Sequence, residues 1–337
     1  MSLERHLRGI NEEVKIMVDR EFTVNVSSTS TVPKIDSGGM TFPDFRNNKL
    51  AAVELETCVL FIDIRKSTEI SSSHRRPTLA KLYSAFVRAM VQAAEYHGGK
   101  VRNIIGDRVM VVFDSKDCFK NAVNTAYLLR TVSDYIINKH FKHNEIKCGI
   151  GIDFGKLLVV KTGTIKKGDE GREYKSLVWL GNACNIASKL TDQANKEFVK
   201  NSYEIEYMDN YSFLFPSLSP IGGMPSFLSP IEDNPKGPVK RKTTLTEEQF
   251  LKNIRDSATG VNYGFNGDIK SLKKIEKKIL TDPILISEAV YLGLKKNNPE
   301  ELSIKGKWWR IQGVTVKYVN SKVYGCSAYF PIVKNLK

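Results

Sequence analysis

Cysteine is scarce in this chain of 337 residues and shows no pairing pattern. The five cysteines are odd in number, widely spaced, and include no CxxC motif. A disulfide framework or a cysteine-based zinc site needs regular or close spacing, so neither is expected. The pattern is typical of a protein kept in the reducing cytoplasm, which is the location that we predict.

Long hydrophobic runs are also missing. No apolar run approaches the roughly 18 residues that a membrane-spanning helix needs, and the N-terminus lacks the apolar core of a signal peptide. We therefore expect no stable membrane insertion. The composition, 41% hydrophobic and 26% charged, is ordinary for a globular protein. The length allows one large domain, or a domain that carries a substantial insertion.

Acidic residues are outnumbered by basic ones, which gives a formal net charge of +14. Excess Lys and Arg attracts any polyanion, whether nucleic acid, acidic lipid or nucleoside triphosphate, so the charge alone identifies no ligand. A nucleic-acid-binding protein would interleave its basic residues with exposed aromatic residues on one face. The sequence has no such cluster, and nucleic acid is therefore not the partner that we expect.

Two carboxylates stand at the edges of apolar strands. Asp63 ends a run of Val, Leu, Phe and Ile, and Asp107 follows Gly106 between two further apolar runs. A carboxylate among such neighbours is costly unless something pairs it, and Mg²⁺ favours one or two carboxylates together with water and phosphate oxygens. The pair indicates metal-dependent phosphoryl chemistry. The alternative is that each aspartate is an ordinary turn residue.

The order of predicted elements indicates the fold class. Apolar periodicity predicts strand 57–64, helix 77–97, strands 100–105 and 108–113, helix 117–139, and strands 146–153 and 156–161 separated at Gly155. The order β-α-β-β-α-β is the ferredoxin-like arrangement of an α+β protein, and it places Asp107 at a hairpin tip. Appended elements are predicted as strand 174–180, helix 182–196, strand 284–287, helix 287–296 and a strand pair within 302–334.

Residues 1–52 precede this core as a predicted helix and linker. Apolar residues at steps of four and three indicate a short amphipathic helix within 1–22, and the polar stretch 25–48 indicates an extended linker. These apolar residues are Leu3, Leu7, Ile10, Val14 and Met17. The helix is too short to be called a coiled coil. We expect it to pack on its own domain, with a dimer contact as the alternative.

Residues 53–337 are predicted to form one domain with an insertion at about 197–280. Proline and glycine make 215–240 an irregular loop, and Lys-rich helical segments are predicted at 246–256 and 269–280.

Four segments carry a resemblance to the class III nucleotidyl cyclases, the family of adenylate and guanylate cyclases. The resemblance runs over about 57–196 and resumes at about 281–310. It implies that Asp63 and Asp107 bind two divalent cations, Mg²⁺ or Mn²⁺, with the backbone carbonyl of Ile64 as a further ligand. The next four residues occupy the turn and helix start that cradle the triphosphate in this family, where free N–H groups favour anions. They are Arg65, Lys66, Ser67 and Thr68.

The resemblance also supplies a catalytic pair in the segment 180–190. Asn185 matches the asparagine that orients the ribose. Lys189, one helical turn later, stands where the family usually has the arginine that stabilises charge on the transferring phosphoryl group. Lysine offers a point charge in place of a planar fork. Lys305, in the segment 303–307, matches the lysine that binds the terminal phosphates, although a Lys-Gly-Lys turn by itself is more often a basic hairpin.

Two positions choose the base in the purine cyclases of this family. They correspond to Asn103, four residues before Asp107, and Val178, seven residues before Asn185. Neither matches the Lys or Glu and the Asp, Thr or Cys of purine cyclases. Val178 would leave a polar purine edge unsatisfied, at a cost of about 1–3 kcal/mol. The amide of Asn103 can donate or accept, so it does not separate cytosine from uracil.

These substitutions, the standalone architecture and the insertion resemble the pyrimidine cyclases of bacterial antiphage Pycsar systems. The resemblance implies a cytidylate or uridylate cyclase, with CTP as the first expectation over UTP. It implies a homodimer with active sites at the interface, and a product that is a signal for a separate cyclic-nucleotide-responsive effector. No histidine falls in a matching motif, so no protein general base is expected.

Three other interpretations remain from the sequence. A purine cyclase with unusual base selectors is the first, and a catalytically inactive nucleotide-binding module is the second. The presence of both aspartates favours an enzyme, while Lys189 favours the inactive module. A cyclic-dinucleotide synthase is the third, but its Gly-Gly-Asp/Glu-Glu-Phe signature is absent.

Overall fold

The computed structural model describes residues 2–141, 146–163, 175–209, 239–251 and 269–335. It divides into two units, one of Met1–Lys196 with Thr281–Lys337 and the other of Glu197–Leu280. Across the described ranges, every helix is too short or too polar to cross a membrane.

Twelve strands occur in the described residues. In chain order they are β1 (Thr23–Thr29), β2 (Lys49–Ile64), β3 (Lys100–Ile105), β4 (Arg108–Val112), β5 (Cys148–Gly163), β6 (Lys175–Leu180), β7 (Glu197–Asp209), β8 (Val239–Thr246), β9 (Ile269–Leu280), β10 (Ile284–Ser287), β11 (Arg310–Ile311) and β12 (Val323–Cys326). The first unit holds nine of them in one sheet, ordered β11-β12-β10-β5-β2-β4-β3, with β1 paired to β2 and β6 paired to β5.

Eight α-helices accompany the strands in the described residues of the first unit. They are α1 (Leu3–Val18), α2 (Ser67–Ser73), α3 (Arg76–Tyr96), α4 (Cys118–Thr131), α5 (Asn138–His140), α6 (Asn182–Gln193), α7 (Glu288–Asn297) and α8 (Leu302–Lys305). A π-helical turn, Val132–Ile137, joins α4 to α5. Residues 247–251 of the second unit are also helical.

The succession β2-α3-β3-β4-α4-β5 forms a ferredoxin-like core, which confirms the predicted α+β class. Strands β2 and β5 pair antiparallel along almost their whole length, from Val53 opposite Val159 to Ile64 opposite Cys148. Helices α3 and α4 cover one face of the sheet. Phe86 of α3 is buried there in the main apolar cluster. The long strands therefore fix the end of β2, where Asp63 lies, against the rest of the sheet.

Helix α6 lies against the other face because β5 carries glycine there. A Cβ atom on Gly151 would lie 2.3 Å from both the carbonyl oxygen of Ala187 and the backbone nitrogen of Thr191. A Cβ on Gly149 would lie 2.7 Å from the carbonyl oxygen of Ala194. Such distances exclude any side chain, so glycine at these two positions allows the helix backbone to contact the strand directly.

Several predicted boundaries differ from the observed ones. β2 begins at Lys49, earlier than the predicted strand 57–64. β1 pairs with it in parallel, and residues 25–29 of β1 belong to the stretch 25–48 that was predicted as linker. The valines and threonines of β1 suit a strand, while its serines and asparagine resemble a loop composition. β5 continues through Gly155, which pairs with Thr57, so the predicted break there is wrong. The predicted helix 117–139 is interrupted by the π-helical turn.

Helix α1 has the predicted amphipathic spacing but little of the predicted packing. None of its 16 residues is buried, and Ile16 alone is half-buried. The predicted apolar positions are exposed, from 44% for Met17 to 72% for Leu3. Its apolar stripe is therefore not covered by the described part of its own chain.

The second unit is a three-stranded antiparallel sheet with β7 between β8 and β9. Residues 269–280, predicted as a Lys-rich helix, form β9 instead. Apolar residues at steps of three and four there imitate a helix, but pairing with β7 decides the structure. Most of the predicted loop 215–240 and residues 252–256 of the other predicted helix lie outside the described residues.

Candidate active site

The two predicted metal ligands lie together at one end of the central strands. Asp63 is the penultimate residue of β2, and Asp107 occupies the β3–β4 turn, where Gly106 has a φ of +62°. Asp107 Oδ2 accepts a hydrogen bond from the backbone N–H of Ile64 at 2.9 Å. This bond connects the hairpin turn to the end of β2, so Asp63 and Asp107 lie in one site although they are far apart in the sequence.

The electrostatics of this pair suit a cation. Burial and the neighbouring Asp63 carboxylate raise the pKa of Asp107 to about 6. Neighbouring carboxylates repel each other when both are ionised, and a divalent cation relieves that repulsion. Within the described residues, no cluster of three or more His, Cys, Asp or Glu side chains could hold a metal. The two carboxylates of Asp63 and Asp107 are the donor type that Mg²⁺ and Mn²⁺ favour, completed by backbone and water oxygens.

Arg108, which the sequence did not single out, connects this site to α6. Its Nη2 donates to Asp63 Oδ2 at 2.7 Å and also to Asp192 Oδ1. Its Nη1 donates to Ser188 Oγ at 2.9 Å. Asp192 and Ser188 both lie on α6. One guanidinium thus contacts a predicted metal ligand and two residues of the helix that carries Asn185 and Lys189.

Arg65 lies in the turn between β2 and α2, but its side chain does not extend into solvent there. Its side chain is 15% exposed, with Nη2 3.7 Å from Asp63 Oδ2 and Nη1 donating to the backbone oxygen of Asp192 at 3.3 Å. A Cβ on Gly149 would lie 2.8 Å from its Cζ, so the glycine makes room for the guanidinium. Arg65 therefore contacts a predicted metal ligand and α6.

The remaining predicted cradle residues begin α2. Lys66 is exposed, has a φ of +57° and donates from Nζ to Glu69 at 3.2 Å. Ser67 and Thr68 form the first turn of α2, which is seven residues long. These residues remain at the edge of the turn beside Asp63.

Asn185 and Lys189 lie on α6, as predicted. Asn185 is exposed and Lys189 is half-buried. Lys189 Nζ lies 4.0 Å from the centre of the Tyr318 ring, and Lys317 Nζ lies 5.0 Å from the same centre. Two ammonium groups therefore lie close to one aromatic ring in the segment between β11 and β12.

Lys305 is placed differently from Lys317. It ends the short helix α8 and is paired through Nζ with Glu300. Its segment is fixed by Trp309, whose Nε1 donates to Ser303 Oγ at 2.9 Å. The predicted Lys-Gly-Lys motif is thus a helix end, and Lys317 is the lysine that the structure brings to Lys189. The only sequence signal for Lys317 was its position before the last strand.

The two predicted base-selecting positions lie on different strands. Asn103 is exposed on β3, beside an irregularity in its pairing with β4. Val178 is 37% exposed on β6 and pairs with Val160 of β5. Both side chains are accessible to a ligand.

Comparison with known proteins gives consistent matches. Residues 52–220 match the adenylate and guanylate cyclase catalytic domain. A uridylate cyclase of Xanthomonas perforans is 30% identical over 191 residues, which cover 54% of this chain and 77% of that protein. A uridylate cyclase of Burkholderia cepacia is 28% identical over 196 residues, which cover 56% of this chain and 80% of that protein.

Two further matches are more distant or shorter. A cytidylate cyclase of Staphylococcus aureus is 28% identical over 123 residues, which cover 34% of this chain and 29% of that protein. The crystal structure of an adenylyl cyclase from P. aeruginosa aligns with 84% of this chain and 98% of its own, at 16% identity and a TM-score of 0.47.

Proposed function

The chain belongs to the adenylate and guanylate cyclase family, and on that premise we propose that it converts a pyrimidine nucleoside triphosphate into the 3′,5′-cyclic monophosphate and pyrophosphate. The observation that carries the proposal is the pair Asp63 and Asp107, tied together through the backbone N–H of Ile64. Such a pair serves phosphoryl transfer by holding divalent cations beside a polyphosphate.

Two exposed positions and the names of relatives support a pyrimidine base. Val178 offers no hydrogen bond to a purine edge, and Asn103 can pair with either pyrimidine. Relatives in Xanthomonas perforans and Burkholderia cepacia are named uridylate cyclases, and one in Staphylococcus aureus is named a cytidylate cyclase. These names favour UTP over the CTP that the sequence first suggested, so both bases must be tested.

The proposed reaction assigns a task to each side chain. Asp63, Asp107 and the carbonyl of Ile64 would hold the cations, which supply charge neutralisation and lower the pKa of the ribose 3′-hydroxyl when bound. Asn185 orients the ribose, so that its 3′-oxygen lies in line with the α-phosphorus. The 3′-oxygen forms a bond to that phosphorus, its proton passes to solvent, and the bond to pyrophosphate breaks.

The phosphates need positive charge from the protein. We propose that Lys189 and Lys317 supply it together, because both ammonium groups lie within 5.0 Å of the centre of one tyrosine ring. Charge that is already positioned stabilises the transition state without reorganisation. Lys305, which is paired with Glu300, stays a weaker candidate for this task.

Catalytic domains of this family act as dimers on their nucleotides. We propose that Asn185 and Lys189 of one protomer face Asp63 and Asp107 of its partner, so that a homodimer has two equivalent sites. From the resemblance alone, we further propose that the cyclic pyrimidine nucleotide is a signal in antiphage defence that a separate effector recognises.

The test is an assay of the purified protein with Mn²⁺ and each of the four ribonucleoside triphosphates, with products separated by chromatography. Cyclic UMP or cyclic CMP as the main product is the expected result. Cyclic AMP or cyclic GMP as the main product would overturn the base assignment. The absence of any cyclic product would overturn the enzymatic proposal.

A second candidate function is nucleotide binding without turnover. Two observations favour it: Lys189 replaces the usual arginine, and Arg108 pairs with Asp63 at 2.7 Å. The same assay separates the two candidates when nucleotide binding is measured beside it by calorimetry, because an inactive module would bind a triphosphate and return it unchanged.

A further inference from the structure

We infer that Arg108 is a positioning residue that links Asp63 to α6, and that it releases Asp63 and keeps Asp192 when a divalent cation binds. The inference rests on the proposed function in one respect, that Asp63 is a cation ligand. Nothing in the resemblance to known cyclases assigned a role to Arg108 or Asp192. The contacts of one guanidinium carry the argument.

The geometry makes the two carboxylates competitors. Nη2 of Arg108 donates to Asp63 Oδ2 and to Asp192 Oδ1 at the same time, so a single nitrogen is shared between them. The side chains are 26% exposed for Arg108, 18% for Asp63 and 48% for Asp192. Asp63 is thus the more enclosed of the two carboxylates, and Arg108 neutralises it there.

A cation at Asp63 would change this balance. Two positive groups at one carboxylate repel each other, and the guanidinium has a second carboxylate already in contact. Ser188 Oγ, at 2.9 Å from Nη1, holds the other side of the fork to the same helix. Arg108 can therefore give up Asp63 without losing its partners on α6.

The exchange has a consequence for α6. Asn185 lies seven residues before Asp192, which is about 10 Å along a helix, and Lys189 lies between them. In the proposed homodimer, each protomer contributes its α6 to one active site and its Asp63 to the other. Arg108 therefore connects the cation half of one site to the ribose and phosphate half of the other.

The test measures Mn²⁺ binding to the full chain without nucleotide, by electron paramagnetic resonance of the free ion. Arg108→Gln removes the competitor, so Mn²⁺ should bind more tightly, on the order of fivefold, as expected for one partly exposed ion pair. Asp192→Asn removes the alternative partner and leaves Arg108 on Asp63, so Mn²⁺ should bind more weakly. In the double variant, the effect of Asp192→Asn should largely disappear.

Two further variants separate pairing from charge and from stability. Arg108→Lys keeps the positive charge but lacks the fork that reaches both carboxylates, so its Mn²⁺ affinity should lie between those of the wild type and Arg108→Gln. Arg130→Gln is the matched control, because Arg130 pairs with Asp134 at 3.1 Å in another part of the unit. Its Mn²⁺ affinity should equal that of the wild type.

Several results would overturn the inference. They are an unchanged or weaker affinity in Arg108→Gln, an Arg108→Lys variant equal to the wild type, and the same Asp192→Asn effect with and without Arg108. If Arg108→Gln does not fold, Asp192→Asn alone decides by its direction. Because nucleotide is absent, an active cyclase with unshifted Mn²⁺ affinity contradicts only this inference, and an inactive protein with the expected shifts contradicts only the proposed function.

Discussion

Replacing Gly151 by alanine should displace α6 and test whether its contact with β5 positions the site. A Cβ at this position would lie 2.3 Å from the carbonyl oxygen of Ala187 and from the backbone nitrogen of Thr191. Ordinary contact begins at 3.4 Å, so the helix must move away by about 1 Å. Both opposing atoms belong to the backbone, and no side-chain rotation can relieve the clash.

The size of the effect follows from this displacement. Inserting one methyl group into a close-packed contact costs about 1–3 kcal/mol, and we expect the upper part of that range for Gly151→Ala because backbone must move. A misplacement of about 1 Å near a reacting centre can cost about 100-fold in rate. The free energy of unfolding is measured by urea denaturation. The turnover number is measured with Mn²⁺ and the triphosphate that gives a cyclic product in the assay with all four ribonucleoside triphosphates.

Gly155→Ala is the matched control on the same strand. Its Cβ would meet Ala183 Cβ at 3.5 Å, which is ordinary contact, so the free energy of unfolding and the turnover should stay close to the wild type. A Gly151→Ala variant as stable and as active as Gly155→Ala would refute the argument that this close approach fixes the position of α6.

Three further outcomes are expected. Asp63→Ala and Asp107→Ala should each abolish cyclic nucleotide formation while size-exclusion chromatography still shows the wild-type assembly, and retained turnover would remove the aspartates from the mechanism. Lys317→Ala should raise the KM for the triphosphate more than Lys305→Ala does, and the opposite order would restore the assignment made from the sequence. Burial raises the pKa of Asp153 to about 6, above 3.8, so its contribution to stability is present below pH 4 and is lost as the pH rises through 6. Asp153→Asn should therefore flatten the fall in the free energy of unfolding between pH 4 and pH 7, and an unchanged fall in urea titrations would contradict this.

The predicted core elements agree with the structure because their signal is local. Apolar alternation marks β2 and β4, and the glycine stop after α3 marks a helix end, so each element is identified by residues close together in the chain. The same local signal misled at β9, where apolar residues at helical steps form a strand under the influence of β7. The structure of β9 depends on its pairing partner and register, and neither can be read from the sequence of one strand alone.

The candidate site shows the same division. Asp63 and Asp107 were found because an apolar run flanks each of them. Arg108 was missed although it follows Asp107 directly. Its partner Asp192 is 84 residues away, and no sequence pattern predicts that contact. Lys317 was not singled out because a more familiar motif at Lys305 resembled the family. Only the structure shows that Lys317 and Lys189 both lie close to the Tyr318 ring.

The distribution of cysteine gives the molecule a built-in reporter of how it opens. All five thiols are buried, and burial raises the pKa of Cys148 and Cys184 to about 12, so they are almost entirely protonated and unreactive at neutral pH. None of the five falls within residues 197–280. Alkylation by a maleimide therefore requires the first unit to open, and opening of the second unit does not contribute to the labelling. The labelling rate under mild denaturant isolates the unfolding kinetics of the cyclase unit in the intact chain.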